Sequence, residues 1–479
     1  MKDRQKELEE RDEKIAELEA KLAELECKLA ELIEENERLR GLLGNKAKRK
    51  SAKTPKFSEN YSTETKGPRS KKNKRGKGAT GRRPRDDKQG FVNHTEKVYP
   101  ENVDPADCVY VRTQYAWRIV DGRAVYIRYE IFDRPDSPKA PLPPGLRNSR
   151  SEFGLEIILI VAFLHYWIGV SLAHACQIVE FFTGLELSKS QAHSLIDQLS
   201  EDWRHQEETI AQLIVLQWIV YVDETGWKVG SKSCYTWVFS SALYVLFRCG
   251  VGRGKEEAIN VLGEDFAGIG VTDDYAAYKH LFSEHQLCWA HLIRKAVKLA
   301  LQHPDEPAYA QFLDTLTDIY RQAVRYQKDR RLSVGREQKA RELQAAILAL
   351  CDRHGEEIDS QKPEHEATFI RLQNELADNV EKLFVFVIHP QVEPTNNISE
   401  RHVRREAEIR KGGRTSKTAN GAKRRGIIVS VLMSLRQRFA NFTLNDLLDE
   451  VQKWINAGQS IFEEELDRMK QANAPPVSP

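Results

Sequence analysis

The stretch that most constrains this chain is Trp218-Ile-Val-Tyr-Val-Asp-Glu-Thr-Gly-Trp227, an apolar run that climbs to an acid and stops at turn residues. β-branched and aromatic runs ended in this way read as buried strands. Asp223 then falls at the rim of a sheet, where open α/β sheets bind their ligands. Fifty residues later (273 − 223) the pattern recurs in Gly268-Ile-Gly-Val-Thr-Asp-Asp274, followed by Tyr275-Ala-Ala-Tyr278 opening a helix. A third acid, Glu400, lies in Pro394-Thr-Asn-Asn-Ile-Ser-Glu-Arg401, just inside a very basic helix. Divalent magnesium takes oxygen ligands, and two such ions clamp the attacking and leaving oxygens of a phosphoryl transfer. Asp223, Asp273 and Glu400 are a donor set of that kind. Each also has an ordinary reading: a strand-end Asp serves turns, and Asn397-Ile-Ser-Glu400 has the spacing of a capping box.

The surrounding text supplies a sheet. Gln217–Val222, Cys234–Ser240 and Leu243–Arg248 read as an antiparallel meander. A short helix over 255–262 and a strand over 269–272 follow, then a strand at Gln286–Trp289 and a basic amphipathic helix over 290–301. This order is that of a ribonuclease-H-like mixed sheet, so the expected class is α/β, with core segments over 217–301 and 382–440. Between them, 302–381 is helical and highly charged, an insertion. Lys382-Leu-Phe-Val-Phe-Val-Ile388 reads as a further strand, and 441–479 as a C-terminal amphipathic helix, over Phe442–Leu466, with a frayed tail.

Ahead of this core, residues 1–45 carry heptads: Leu8, Ile15, Leu22, Leu29, Asn36 and Leu43 at a, and Leu18, Leu25, Leu32 and Leu39 at d. They predict a parallel homomeric coiled coil whose register is fixed by Asn36. Residues 46–90 hold almost nothing apolar and should be disordered alone, either a phosphate-binding basic segment or a solubilising linker. Lys71, Lys72, Lys74, Arg75, Arg82 and Arg83 are its candidate DNA contacts. A small β module with an Asp121-Gly122 hairpin turn and a Pro-rich connector follow over 91–145. Residues 146–216 are helical; Ser188 caps the second helix of a pair that is either a helix-turn-helix, with Lys189, Ser190 and Gln191 near DNA, or an ordinary hairpin on the core.

The formal net charge is only +2, yet basic residues cluster in the linker and after Glu400. Such islands favour nucleic acid. Arg401, Arg404 and Arg405 share a helix face at i, i+3 and i+4, extended by Arg410, Lys411 and Arg414. Seven scattered cysteines without a CxxC speak for a reducing compartment, and no segment reads as a signal peptide or membrane span. The expected location is therefore cytoplasmic, with the nucleoid. Cys288 and His291, like Cys351 and His354, are spaced at i and i+3; four such ligands would suit zinc, but buried helix positions are the simpler reading.

Asp223-Glu-Thr, Thr272-Asp-Asp-Tyr-Ala-Ala-Tyr278, Cys288-Trp-Ala-His-Leu-Ile-Arg294 and Asn396-Asn-Ile-Ser-Glu-Arg401 occur in the order of the DDE transposases of insertion-sequence family sixty-six, which this chain resembles over most of its length. The resemblance implies a ribonuclease-H-like core with Asp223, Asp273 and Glu400 as catalytic, metal-binding triad. It implies two Mg²⁺ (or Mn²⁺) ions, and cleavage and strand transfer at the ends of the protein's own element, with accessory proteins of that element as possible partners. It gives Cys288 and His291 a structural role beside the site. Where the family commonly carries a CxxC zinc module, the 91–145 segment holds only Cys108, so no zinc is expected there. Asp274 stands where a glycine is usual. Two other readings share parts of this pattern: a catalytically silent DNA binder derived from a transposase, and a ribonuclease acting on RNA–DNA hybrids.

Overall fold

A computed structural model describes residues 92–472, except 138–139, 279, 333 and 359–361. The heptad segment and the basic linker lie outside these residues. The first element is a three-stranded sheet of β1 (His94–Val98), β2 (Val109–Val120) and β3 (Arg123–Asp133) in the order β1-β3-β2. Its hairpin closes on Asp121 and Gly122, both at positive φ, as a two-residue turn between twisted strands requires. β1, which the sequence reading missed, pairs in parallel with β3.

Four helices follow: α1 (Leu155–Ala162), α2 (Leu172–Thr183), α3 (Lys189–Asp202) and α4 (Arg204–Val215). α1 runs into a turn of π-helix over Phe163–Ile168, ended by Gly169 in the left-handed region. Ser188 caps α3 as expected, and Gln191 completes the capping box. Leu172, Cys176 and Val179 of α2 and Leu195, Ile196 and Leu199 of α3 sit in the main core, so both helices pack on it, as either a helix-turn-helix or an ordinary hairpin would.

The central sheet holds β4 (Ile219–Val229), β5 (Lys232–Ser240), β6 (Val245–Val251), β7 (Phe266–Thr272) and β8 (Phe282–Leu287) in the order β6-β5-β4-β7-β8. β4, β5 and β6 form the antiparallel meander; β7 lies parallel to β4 and β8 parallel to β7. α5 (Glu256–Leu262) connects β6 to β7. α6 starts at Trp289, with Cys288 as its cap, so the strand read at 286–289 stops two residues early. Alternation along β4 divides two cores: Val220 and Val222 join the cluster with α1–α4, while Tyr221 joins the cluster on the other face.

That second face is covered by α6 (Trp289–Gln302), α7 (Pro307–Lys328), α8 (Arg336–Leu350) and α9 (Glu364–Asp378). The strand expected at Lys382–Ile388 is not there. The chain makes a 3₁₀ turn over Val380–Leu383 and a single helical turn, α10 (Val385–Ile388). A short apolar run does not reveal its period when it is buried on all sides. Here the buried Gln286 side chain takes the place of a ladder, accepting the Phe386 N–H at 3.0 Å and donating to the Leu383 carbonyl at 3.2 Å.

α11 (Asn397–Lys411) and α12 (Ala419–Arg438) complete the core. α12 lies on β6, where Ser430 and Ser434 accept the N–H groups of Phe247 and Val245. The C-terminal stretch is two helices rather than one: α13 (Leu444–Ala457) ends on Gly458 at φ 72°, and α14 (Ile461–Ala472) follows. Among the described residues no helix is long and apolar enough to cross a membrane.

Arg425 of α12 and Glu406 of α11 form a buried bidentate pair, both contacts 2.7 Å, with Glu406 fully inaccessible. Removing one partner of such a pair leaves a buried uncompensated charge. Arg425→Leu is expected to cost about 3–5 kcal/mol in urea unfolding, and the double variant with Glu406→Leu to regain most of that loss.

Candidate active site

The register of β4 with β7 pairs Ile219 with Ile269, Val220 with Gly270 and Tyr221 with Val271. Each pair is offset by fifty residues (269 − 219), and so are Asp223 and Asp273 (273 − 223). The strand does not stop at Thr225-Gly226 as expected but runs on to Val229, paired with β5, so Asp223 lies within β4, two residues past its last pair with β7, while Asp273 directly follows the end of β7. Asp274 faces solvent. Glu224 points to the opposite face of β4, where it accepts a 2.6 Å hydrogen bond from the buried Tyr278 hydroxyl and pairs with Arg253 at 3.0 Å.

Glu400 arrives from α11. The cap of this helix is Asn396, not Asn397, and its side chain makes no capping bond. Instead Asn396 Nδ2 donates to the Val222 carbonyl at 2.8 Å, and Ser399 Oγ donates to the Tyr221 carbonyl at 2.8 Å. These are the two carbonyls immediately before Asp223. The capping-box reading of Glu400 thus fails, and the helix start is tied to the acid-bearing strand. Glu400 Oε1 lies 3.1 Å from Arg294 Nη2, 3.5 Å from His291 Nδ1 and 3.7 Å from Cys288 Sγ.

Cys288 joins the pieces. Its N–H donates to the Thr272 carbonyl at 2.8 Å, next to Asp273, and its sulfur accepts the Asn396 N–H at 3.2 Å. The next residue, Trp289, donates its N–H to the Pro394 carbonyl. Cys351 and His354 do not join Cys288 and His291. Cys351 is buried among the helices of the second core, and His354 bonds to Asp378 at 2.8 Å.

Electrostatics reflect this crowding. Burial pushes the Asp223 carboxyl up to about 8, helped by the negative charges of Glu224, Asp273 and Glu400. Asp273 and Glu400 are near enough to act on it, although among the described residues the three carboxylates do not all lie within 4.8 Å of one another. All-oxygen acidic donors suit hard divalent cations; Asp223 has no cationic partner among the described residues, whereas Glu400 is held by Arg294.

The basic candidates divide. Arg401, Arg404 and Lys411 are exposed. Arg405, expected on the same face, is turned inward, with its guanidinium 4.2 Å from the Trp167 ring centre and bonded to the Trp167 carbonyl. Arg410 is bonded to the Gly226 carbonyl, and Arg414 is half-buried. Lys71, Lys72, Lys74, Arg75, Arg82 and Arg83 lie outside the described residues. Arg253, Arg294, Asn396 and Ser399 had no assigned role in the sequence reading. Their partners stand 29 to 178 residues away, and no local spacing signals that.

The family model described as Transposase IS66 family matches residues 150–424, more than half of the chain. The chain belongs to the IS66 transposase family. It contains every element of the acid site, from β4 to α11, within the matched region. No curated protein matched the chain. Family membership makes this a transposase, and so a protein that binds DNA.

The raised Asp223 group sets a pH dependence. Its folded value lies above the unfolded value of 3.8, so its contribution to stability is full below about pH 4 and is lost as the pH rises towards 8. Without divalent metal, Asp223→Asn should therefore be more stable than the parent at pH 8, by up to a few kcal/mol. The gap should close by pH 4, as read from thermal midpoints across pH.

Proposed function

We propose that this transposase cuts and joins DNA by metal-dependent phosphoryl transfer on a ribonuclease-H-like core, with Asp223, Asp273 and Glu400 as its catalytic acids. The observation that carries the reading is the backbone placement of the acids: Asp223 and Asp273 follow the last pair of two parallel strands, and the helix start that bears Glu400 is hydrogen-bonded to β4 just before Asp223. The meander followed by two parallel strands supports the same core type. Asp223, Asp273 and Glu400 would hold Mg²⁺ or Mn²⁺, two ions in all. Bound there, such ions supply charge stabilisation for the attacking and leaving oxygens of an in-line displacement.

The residues of the chain have their own parts. Asp223 would offer its oxygens from within β4 and Asp273 from the residue after β7, so their spacing is set by the sheet. Glu400 offers its carboxylate from a helix clamped to β4, with Arg294 holding it in the meantime. Arg401 and Arg404 follow Glu400 on the exposed side and are suited to phosphate contacts. Water would attack a phosphodiester at an element end, and the freed 3′-hydroxyl would attack target DNA. The N-terminal coiled coil would pair protomers so that two ends meet, and the basic segment before Gly90 would add phosphate contacts.

In a metal-dependent nicking assay on end-sequence DNA, Asp223→Asn and Glu400→Gln should each lower cleavage by at least about a hundredfold, the scale of losing one electrostatic group at a transition state. Unchanged cleavage in both sinks the triad, and DNA binding without cleavage in the parent protein leaves the silent binder. Arg401→Ala and Arg404→Ala should each reduce the dependence of log affinity on log salt by roughly 0.9. An unaltered slope removes them from the DNA surface.

A further inference from the structure

Beside the aspartates lies a second, chemically different donor set. Cys288 Sγ, a nitrogen of His291 and a carboxylate oxygen of Glu400 all fall within 4.8 Å of one another. We propose that these three residues bind one thiophilic divalent cation, Zn²⁺ being the natural occupant, with a fourth position left for water. The assignment does not rely on the cleavage chemistry proposed above, although it shares Glu400 with it.

The spacing is the first argument. Zinc bonds of about 2.3 Å to sulfur and about 2.0–2.2 Å to nitrogen and oxygen give a tetrahedron with edges of about 3.3–3.6 Å. The separations from Glu400 Oε1 are 3.5 Å to His291 Nδ1 and 3.7 Å to Cys288 Sγ, within small side-chain adjustments of that figure.

The second argument is an unsatisfied atom. His291 Nδ1 is buried and has no hydrogen-bond partner among the described residues. A buried nitrogen of this kind carries a desolvation cost unless something completes it. A cation between the three groups would do so.

The third argument is the setting of the sulfur. Cys288 caps α6, and His291 follows in its first turn. Burial, with the charge of Glu400, holds the thiol above its ordinary value when no ion is present, opposed by the Asn396 N–H that donates to the sulfur at 3.2 Å. A sulfur at a helix start that already accepts one backbone N–H is placed to serve as a thiolate once a cation offsets its burial. Arg294, bonded to both Glu400 oxygens, balances the carboxylate when no ion is held. Because Glu400 belongs to both donor sets, an ion in this one draws it from the aspartates.

The test is a Co²⁺ titration of the full chain, freed of metal by chelator, without DNA. One equivalent should give the near-ultraviolet sulfur-to-cobalt charge-transfer band and the intense visible bands of a four-coordinate ion. Zn²⁺ should bleach them. Cys288→Ser should remove the charge-transfer band, and His291→Gln, at a half-exposed position, should weaken binding at least about tenfold. Asp223→Asn should leave the spectrum intact, so this result stands or falls separately from the cleavage assay. Absence of the charge-transfer band, or its survival in Cys288→Ser, overturns the site. So does a weak six-coordinate spectrum lost in Asp223→Asn but kept in Cys288→Ser, which would put the ion with the aspartates. Should Cys288→Ser change the far-ultraviolet circular dichroism, the His291→Gln titration decides alone.

Discussion

Two hydrogen bonds hold this site together: Asn396 Nδ2 to the Val222 carbonyl and Ser399 Oγ to the Tyr221 carbonyl. They join parts of the chain 174 and 178 residues apart, and both are buried. β4 loses its β7 partner after Tyr221, so its carbonyls there need other donors. α11 supplies them from its first turn. That requirement, more than any direct attraction among the acids, brings Glu400 to the rim, since three carboxylates repel one another. The helix is docked by neutral polar groups and carries its charge along.

The repulsion is balanced only in part by the protein. Glu224 is neutralised locally by Arg253 and Tyr278, and Glu400 by Arg294. Asp223 has no cationic partner among the described residues; its own following N–H is the bond that favours its charge. A carboxyl raised to about 8 beside two more acids is a costly arrangement for a merely structural corner. The fold keeps it because the strands, the Cys288 amide and the α11 start fix the backbone independently of side-chain charge.

Much of this was legible in the sequence, for local reasons. Asp223 and Asp273 end apolar runs, and strand alternation alone separates them from Glu224. The hairpin at Asp121-Gly122 and the Ser188 cap follow from turn and capping chemistry. Glu400 was harder, since its spacing from Asn397 matched a capping box that the structure does not form. The run Lys382–Ile388 reads as a strand because apolar composition is the same in a buried strand and a buried helical turn. Only the long-range partner, Gln286, distinguishes them.

The basic stretch after Glu400 shows why residue type overstates function. Arg405 is committed to Trp167, Arg410 to Gly226, Arg424 to Asp197 and Arg425 to Glu406. These four arginines bind protein, tying α11 and α12 to the π turn, to β4 and to α3. Arginine is suited to this, since its planar fork satisfies carbonyls and carboxylates while its face stacks on aromatic rings. What remains exposed for a polyanion is the outer side of α11, Arg401, Arg404 and Lys411, which begins one residue after Glu400, with Lys417 and Lys423 beyond it. The same helix thus carries an acid beside β4 and cations to solvent, so a phosphate backbone lying along it would pass beside Glu400.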